Sequence, residues 1–216
     1  KPAYVGKIIE SMTKTVKVPI TAKIRIGWDH DSLNYREIVH VLQEAGVQAI
    51  SVHGRTKSMA YTGLADWNII SEIKSFAKVP IFGNGDIQSY AQALDRIKTS
   101  GVDGVLIGRA AIGNPWIFAG IDKSTLSFPE VREMIFRHLD LMTGFYGEQM
   151  GLVLFRKHVA KYLKNYFGVS ELRHKLVTTP SLEDFVGYLN SFNPDQFRME
   201  TNDDKESLNC ETYATA

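Results

Sequence analysis

Four short apolar, β-branched runs recur along the first half of the chain: Val18–Ile26, Ala49–His53, Val79–Phe82 and Gly104–Ile107. Ile20 and Ile50 stand 30 residues apart, Ile50 and Ile81 31, and Ile81 and Val105 24. That spacing is the length of a strand–helix–strand unit. Helical patterns fill the gaps. Residues 33–45 carry Leu33, Ile38, Val41, Leu42 and Ala45 and stop at Gly46. Residues 67–77 follow Asp66 as N-cap, and 90–99 follow Ser89 and stop at Gly101. A further helix over about 4–15 precedes the first strand. A helix followed by repeated βα units predicts a parallel sheet with helices packed on it.

The pattern changes after Pro115-Trp116, and beyond about 124 no strand signal remains. Ser127-Phe128-Pro129-Glu130 reads as a capping box opening a helix to about 146. Further helices are expected over 152–167, 170–177 and 181–191, the last stopped by Asn193-Pro194. The expected organisation is therefore an α/β domain over 1–122 and an all-α domain over 123–194. A disordered acidic tail is expected over 195–216, which holds six acidic and two basic residues.

Composition narrows the function classes. Lys plus Arg is 25 and Asp plus Glu 24, so no charge excess forces a nucleic-acid or membrane reading. No apolar run reaches the roughly 18–20 residues of a membrane span. The single cysteine, Cys210, lies in the tail, which excludes a disulfide framework. The six histidines are scattered and there is no CxxC, so no metal site is expected. The chain starts Lys1-Pro2-Ala3, with neither an initiator Met nor a signal peptide, which fits a chain whose beginning is missing.

Candidate chemistry gathers at the strand ends. On the first strand Ile20, Ala22, Ile24 and Ile26 share one face, and Thr21, Lys23 and Arg25 the other. Two cations cannot face a helix layer unpaired, so they face either a polar cavity or, on an edge strand, solvent. His53 closes the second strand, as a structural histidine or a ligand contact. The third strand ends in Gly83-Asn84-Gly85-Asp86, where glycines let the backbone approach a ligand or simply turn. The fourth ends in Ile107-Gly108-Arg109-Ala110, with a short helix starting at once, the makings of a phosphate site. In (β/α)8 barrels a phosphate often binds in the loops after the last two strands. Taken together these motifs favour a ligand bearing phosphate. In the helical part, Lys157, Lys161 and Lys164 fall on one face by i, i+4, i+7 spacing. Segment 151–176 holds six Lys/Arg and one Glu, beside Tyr162, Tyr166 and Phe167, either a solvated face or a nucleic-acid contact.

Val18–Trp28, Val52–Thr56, Gly83–Ile87 and Ile107–Phe118 resemble the tRNA-dihydrouridine synthases, the bacterial B type most closely. Phe145-Tyr146-Gly147 and Arg156–Leu163 resemble that family's C-terminal domain, so the likeness covers about residues 1–192. The resemblance implies a (β/α)8 barrel with FMN at its C-terminal rim and a helical domain that holds tRNA. It also implies NADPH or NADH as reductant, hydride transfer to C6 of a flipped-out uridine, a cysteine that protonates C5, and a cytoplasmic location. It places Lys23 at the flavin ring and His53 near the cofactor. Asn84, Gly85, Asp86, Gly108 and Arg109 fall in the FMN phosphate region, and Arg156, Lys157, His158 and Lys161 become tRNA contacts. No Gly-Cys-Pro loop is present, and Cys210 cannot replace it. The expectation is the C-terminal half of a TIM barrel, four parallel strands, plus the helical domain, active only with its missing N-terminal half. Two alternatives stay open: another FMN-dependent barrel oxidoreductase acting on a small molecule, and a non-catalytic tRNA-binding remnant.

Overall fold

The computed structural model describes residues 1–199. The first compact unit is Lys1–Ala110 and the second begins at Ala111. In the first, α1 (Pro2–Thr15), β1 (Thr21–Arg25), α2 (Tyr35–Glu44), β2 (Ala49–His53), α3 (Trp67–Phe76), β3 (Ile81–Asn84), α4 (Tyr90–Ser100) and β4 (Gly104–Leu106) alternate along the chain. The four strands form one parallel sheet in the order β1-β2-β3-β4. This is the expected α/β architecture of four parallel strands and helices, consistent with part of a TIM barrel.

Local chemistry sets the helix ends. The Asp66 carboxylate accepts the amides of Asn68 and Ile69 at 2.9 and 3.1 Å, a cap worth about 1 kcal/mol. Ser89 Oγ accepts the Gln92 amide at 3.2 Å, and α4 closes at Gly101 in the left-handed region. One face of the sheet is apolar and packs under the helices. Ile50, Val52 and Ile81 lie there, fully buried against Val39, Leu42, Ile70 and Ile73, with Ala22 and Ile24 partly buried beside them.

The second unit holds α5 (Phe128–Tyr146), α6 (Glu148–Tyr162), β5 (Tyr166–Phe167), α7 (Ser170–Thr178), α8 (Leu182–Ser191) and β6 (Arg198–Met199). Glu130 accepts the backbone amide and hydroxyl of Ser127 at 2.8 and 2.6 Å, fixing the start of α5. Its core is built on Ile135, Leu139, Leu152, Phe155, Leu176 and Phe185.

Two expectations for this unit change. The helix expected over 152–167 runs over 148–162 instead, with Gly151 inside it. A Cβ at Gly151 would sit 2.6 Å from Thr143 Cα, so the glycine is what lets α5 and α6 approach. Tyr166 and Phe167, expected to be helical, form a strand paired antiparallel with Arg198 and Met199. The expected disordered tail therefore begins with structure: a 3-10 turn over Pro194–Gln196 and then β6. Phe197 explains it, stacking on Tyr166 at 3.8 Å and meeting Phe128 edge-on at 5.1 Å. The rest of that tail, 200–216, and Cys210 with it, lies outside the described residues. Among the described residues no helix is long and apolar enough to cross a membrane, and no cluster of His, Cys, Asp or Glu is placed to hold a metal ion.

Candidate active site

Parallel strands in sequential order bring all four C-terminal ends to one edge. The register aligns Arg25 with His53, His53 with Asn84, and Asn84 with Leu106 in a single row. Two residues earlier on the same face lie Lys23, Ser51, Phe82 and Gly104. This face, opposite the helix-covered one, carries the polar side chains expected at Lys23 and Arg25.

Arg55 organises the edge. It is 2% exposed and its guanidinium grips the Asp86 carboxylate at 2.7 and 2.8 Å. It also donates to the carbonyls of Thr62 and Gly63 at 3.2 and 2.7 Å. Asp86 accepts the Ala65 amide at 2.8 Å and has Arg109 at 3.3 Å. Partial burial works to raise its pKa, yet the Ala65 amide, Arg55 and Arg109 together hold it below the ordinary aspartate value. Arg25 donates to the carbonyls of Thr56 and Ala60 at 2.5 and 3.2 Å.

His53 is buried among cations. Burial, then Arg25, Lys23 and Arg55, push its pKa down to about 4 against the weaker pull of Asp86. It is neutral at pH 7. Its Nε2 faces the Arg55 guanidinium at 3.4 Å and so acts as acceptor, which puts the ring proton on Nδ1. Lys23 is held below the ordinary lysine value by partial burial and by Arg25, and makes no hydrogen bond or ion pair among the described residues.

The backbone around the site is as specific as the side chains. Gly85 sits at φ +134°, and a Cβ there would lie 2.3 Å from Ala65 Cβ and 3.3 Å from the His53 ring. Its carbonyl accepts Trp67 Nε1 at 3.1 Å, and Asn84 Nδ2 donates to the Leu106 carbonyl at 2.8 Å. Gly108 is the opposite case: a Cβ there would meet nothing within 4 Å, so open space surrounds that stretch of backbone.

The seven residues expected at a cofactor, Lys23, His53, Asn84, Gly85, Asp86, Gly108 and Arg109, thus lie at one sheet edge. Asp86 is a brace for two arginines rather than a free carboxylate. Arg25 and Arg55 belong to the same constellation. Arg55 was legible as a cation two residues past His53 on the same strand face, but its partner Asp86 lies 31 residues away.

The four residues expected at tRNA do not all face solvent. All lie on α6, and Lys157 and Lys161 are exposed. Arg156 turns inward and donates to the Thr179 carbonyl at 2.8 Å. His158 packs on His138, ring centroids 4.8 Å apart, in the wall of an open cavity of about 410 Å3 that Met134, Leu141 and Tyr162 also line. Lys164 falls beyond the end of α6, so the three-lysine helical stripe does not form. Lys123, which the sequence did not single out, lies nearby. It donates to the Lys161 carbonyl at 3.0 Å and sits 5.3 Å over the Tyr166 ring. Burial and then Lys164 lower its pKa to about 8.

Residues 1–193 match the family described as dihydrouridine synthase (Dus). The chain is similar to tRNA-dihydrouridine synthase B of Pseudomonas aeruginosa, 42% identical over 179 residues that cover 79% of this chain and 54% of that protein. It is 41% identical over 177 residues to the synthase B of Pseudomonas syringae pv. tomato, covering 78% of this chain and 52% of that one. A probable tRNA-dihydrouridine synthase of Rickettsia conorii is 37% identical over 176 residues, 78% of this chain and 53% of that protein. The chain spans about half the length of the curated relatives it matches. Because the family match takes in residues of both compact units, the chain belongs to the dihydrouridine synthase family.

Proposed function

We propose that this chain supplies the phosphate end and one edge of the FMN site of a tRNA-dihydrouridine synthase, together with a helical unit that contacts tRNA. The observation that carries the reading is the charge at the strand ends: Lys23, Arg25, Arg55 and Arg109 gather there against one carboxylate, Asp86. A surplus of fixed cations over one rim suits an anionic ligand. The open space at Gly108 beside Arg109 leaves room for a phosphate on the backbone. The donor set therefore fits a flavin mononucleotide. When bound, FMN would supply hydride transfer from NADPH or NADH to C6 of uridine.

The chain's own residues have separable roles in that scheme. Arg109 and the Gly108 backbone would hold phosphate. Lys23, with no competing partner, would place its ammonium where negative charge develops on the reducing ring. Neutral His53 offers Nδ1–H as a donor while Arg55 fixes the ring through Nε2. Asp86 positions both arginines and touches no ligand. The proton that completes reduction at C5 needs another acid, which the resemblance assigns to a cysteine. Residues 1–199 contain none, and we place that acid in the half of the relatives that the chain does not span. Such an enzyme would work in the cytoplasm, with tRNA.

The test joins this chain behind the portion of the Pseudomonas aeruginosa relative that it does not span, in a strain stripped of its own synthases. Dihydrouridine should return to tRNA digests read by mass spectrometry. Arg109→Ala should lower both flavin content and product. A folded, flavin-loaded fusion that reduces no uridine would overturn the proposal.

A further inference from the structure

The loops that follow β1 and β2 carry two exposed aromatics that no fold requirement explains. Trp28 is 62% exposed and Tyr61 66%. Both sit on pinned backbone. The amides of Lys57 and Ser58 donate to the carbonyls of Gly27 and Trp28 at 2.9 and 2.8 Å, zipping the two loops together. Arg25 holds the second loop at Thr56 and Ala60, and Arg55 holds it at Thr62 and Gly63. Four backbone carbonyls of one loop are thus tied to two arginines of the sheet edge.

Each aromatic ring also has a cation on its face. Lys57 Nζ lies 4.6 Å from the centre of the Trp28 ring, and Arg109 Cζ 4.9 Å from that of Tyr61. Arg109 in turn reaches Asp86, so the Tyr61 ring adjoins the candidate active site. Besides Asp86, Asp29 stands next to Trp28 in sequence. Asp29 turns its carboxylate into its own loop, accepting the Ser32 hydroxyl at 2.6 Å and the Asp31 amide at 3.1 Å.

We infer that Trp28 and Tyr61, backed by Lys57 and Arg109, form a stacking platform for unpaired bases of a looped RNA beside the site. This rests on the proposed tRNA substrate and names the part of it that is gripped. Alternating π-faces and cations match the alternating bases and phosphates of a single strand, and stacking of this kind is tolerant of sequence. Folded duplex offers no free base face to such rings, so the platform selects a loop. The rigid bracing keeps the ring orientation fixed before binding, which reduces the entropy lost when a base lands on it.

The experiment titrates the full chain with an unmodified tRNA transcript and with a duplex RNA of equal length. Intrinsic fluorescence, read in a Trp116→Phe background because Trp116 is only partly buried, should fall on binding the transcript, and Trp28→Phe should remove most of that signal, since the remaining Trp67 is buried. Trp28→Ala and Tyr61→Ala should each weaken binding of the transcript about tenfold with an unchanged salt slope. Trp28→Phe and Tyr61→Phe should keep it within about twofold, and duplex binding should not respond to any of the four. If the parent chain binds the transcript and the alanine variants bind it equally well, the platform is wrong and the proposed function stands. If the parent chain binds no tRNA, both fall. Capture of a protein in place of RNA, with the same dependence on Trp28, would also overturn the inference.

Discussion

Arg55 and Asp86, from the loops after neighbouring strands, form an ion pair in which one guanidinium nitrogen, Nη2, meets both carboxylate oxygens at 2.7 and 2.8 Å and the arginine is almost wholly out of water. The pair ties the loop after β2 to the turn after β3, and the same carboxylate reaches Arg109 after β4. Three strand ends are thus held to one charge. Asp86→Asn should leave the Arg55 guanidinium buried with half its partner gone. The expected loss is about 3 kcal/mol of unfolding free energy, read by urea titration. A double-mutant cycle with Arg55→Met should recover part of it. A loss no larger than that of a surface substitution would show that the pair does not hold the rim.

Acid should loosen the same rim through His53. Its folded pKa of about 4 lies below the ordinary histidine value of 6.5, so between these values the unfolded chain binds more protons than the folded one. Stability is therefore fully present above pH 6.5 and declines as pH falls toward 4. Asp86, also depressed, adds its own loss further down, as pH falls through its folded value. Urea midpoints between pH 7 and 4 should fall steadily, and His53→Gln should flatten the upper part of that slope. An unchanged slope in the variant would mean that another group titrates there.

What the sequence could show depended on range. Asp66, Ser89, Gly101 and the Ser127–Glu130 box act within one helical turn, and each stands where the pattern put it. The alternation in β1 separated Lys23 and Arg25 from Ile24 because a strand has only two faces. The Arg55–Asp86 pairing was hidden because nothing local distinguishes one arginine from another, and the partner lies 31 residues on. Arg156 and His158 looked like neighbours of Lys157, but helical geometry turned one toward Thr179 and the other toward His138. The β5–β6 pair is only two residues on each side and depends on Phe197, whose apolar ring stood alone in a polar stretch.

Two glycines at the rim should respond in opposite ways to a single methyl group. Gly85→Ala forces both a left-handed-side φ of +134° and a Cβ 2.3 Å from Ala65, so it should cost about 3 kcal/mol or abolish folding. Gly108→Ala meets nothing and should melt within about 2 °C of the parent, while lowering the flavin content of the fusion protein several-fold if a phosphate approaches that backbone. Thermal melting followed by circular dichroism separates them. Equal destabilisation by both would contradict the geometry.

Phe197 gives the second unit its own test. Its ring stacks on Tyr166 at 3.8 Å and packs edge-on to Phe128, which is itself 2% exposed and begins α5. Removing it takes a partly buried aromatic from the core and unpins β6 from β5. Phe197→Ala should lower the unfolding free energy of this unit by about 2 kcal/mol, less than a fully buried phenylalanine would cost. Phe197→Leu should restore part of that by refilling volume without the stacking geometry. Tyr166 should report the change directly: its hydroxyl, which donates to the Lys123 carbonyl at 2.8 Å, has its pKa raised to about 12 chiefly by burial and then by Asp122. Exposing the ring should bring that titration down toward the ordinary tyrosine value of 10.0, followed by ultraviolet absorbance at alkaline pH. A variant that kept both its stability and its tyrosine titration would show that the segment after Asn193 contributes nothing to the helical unit.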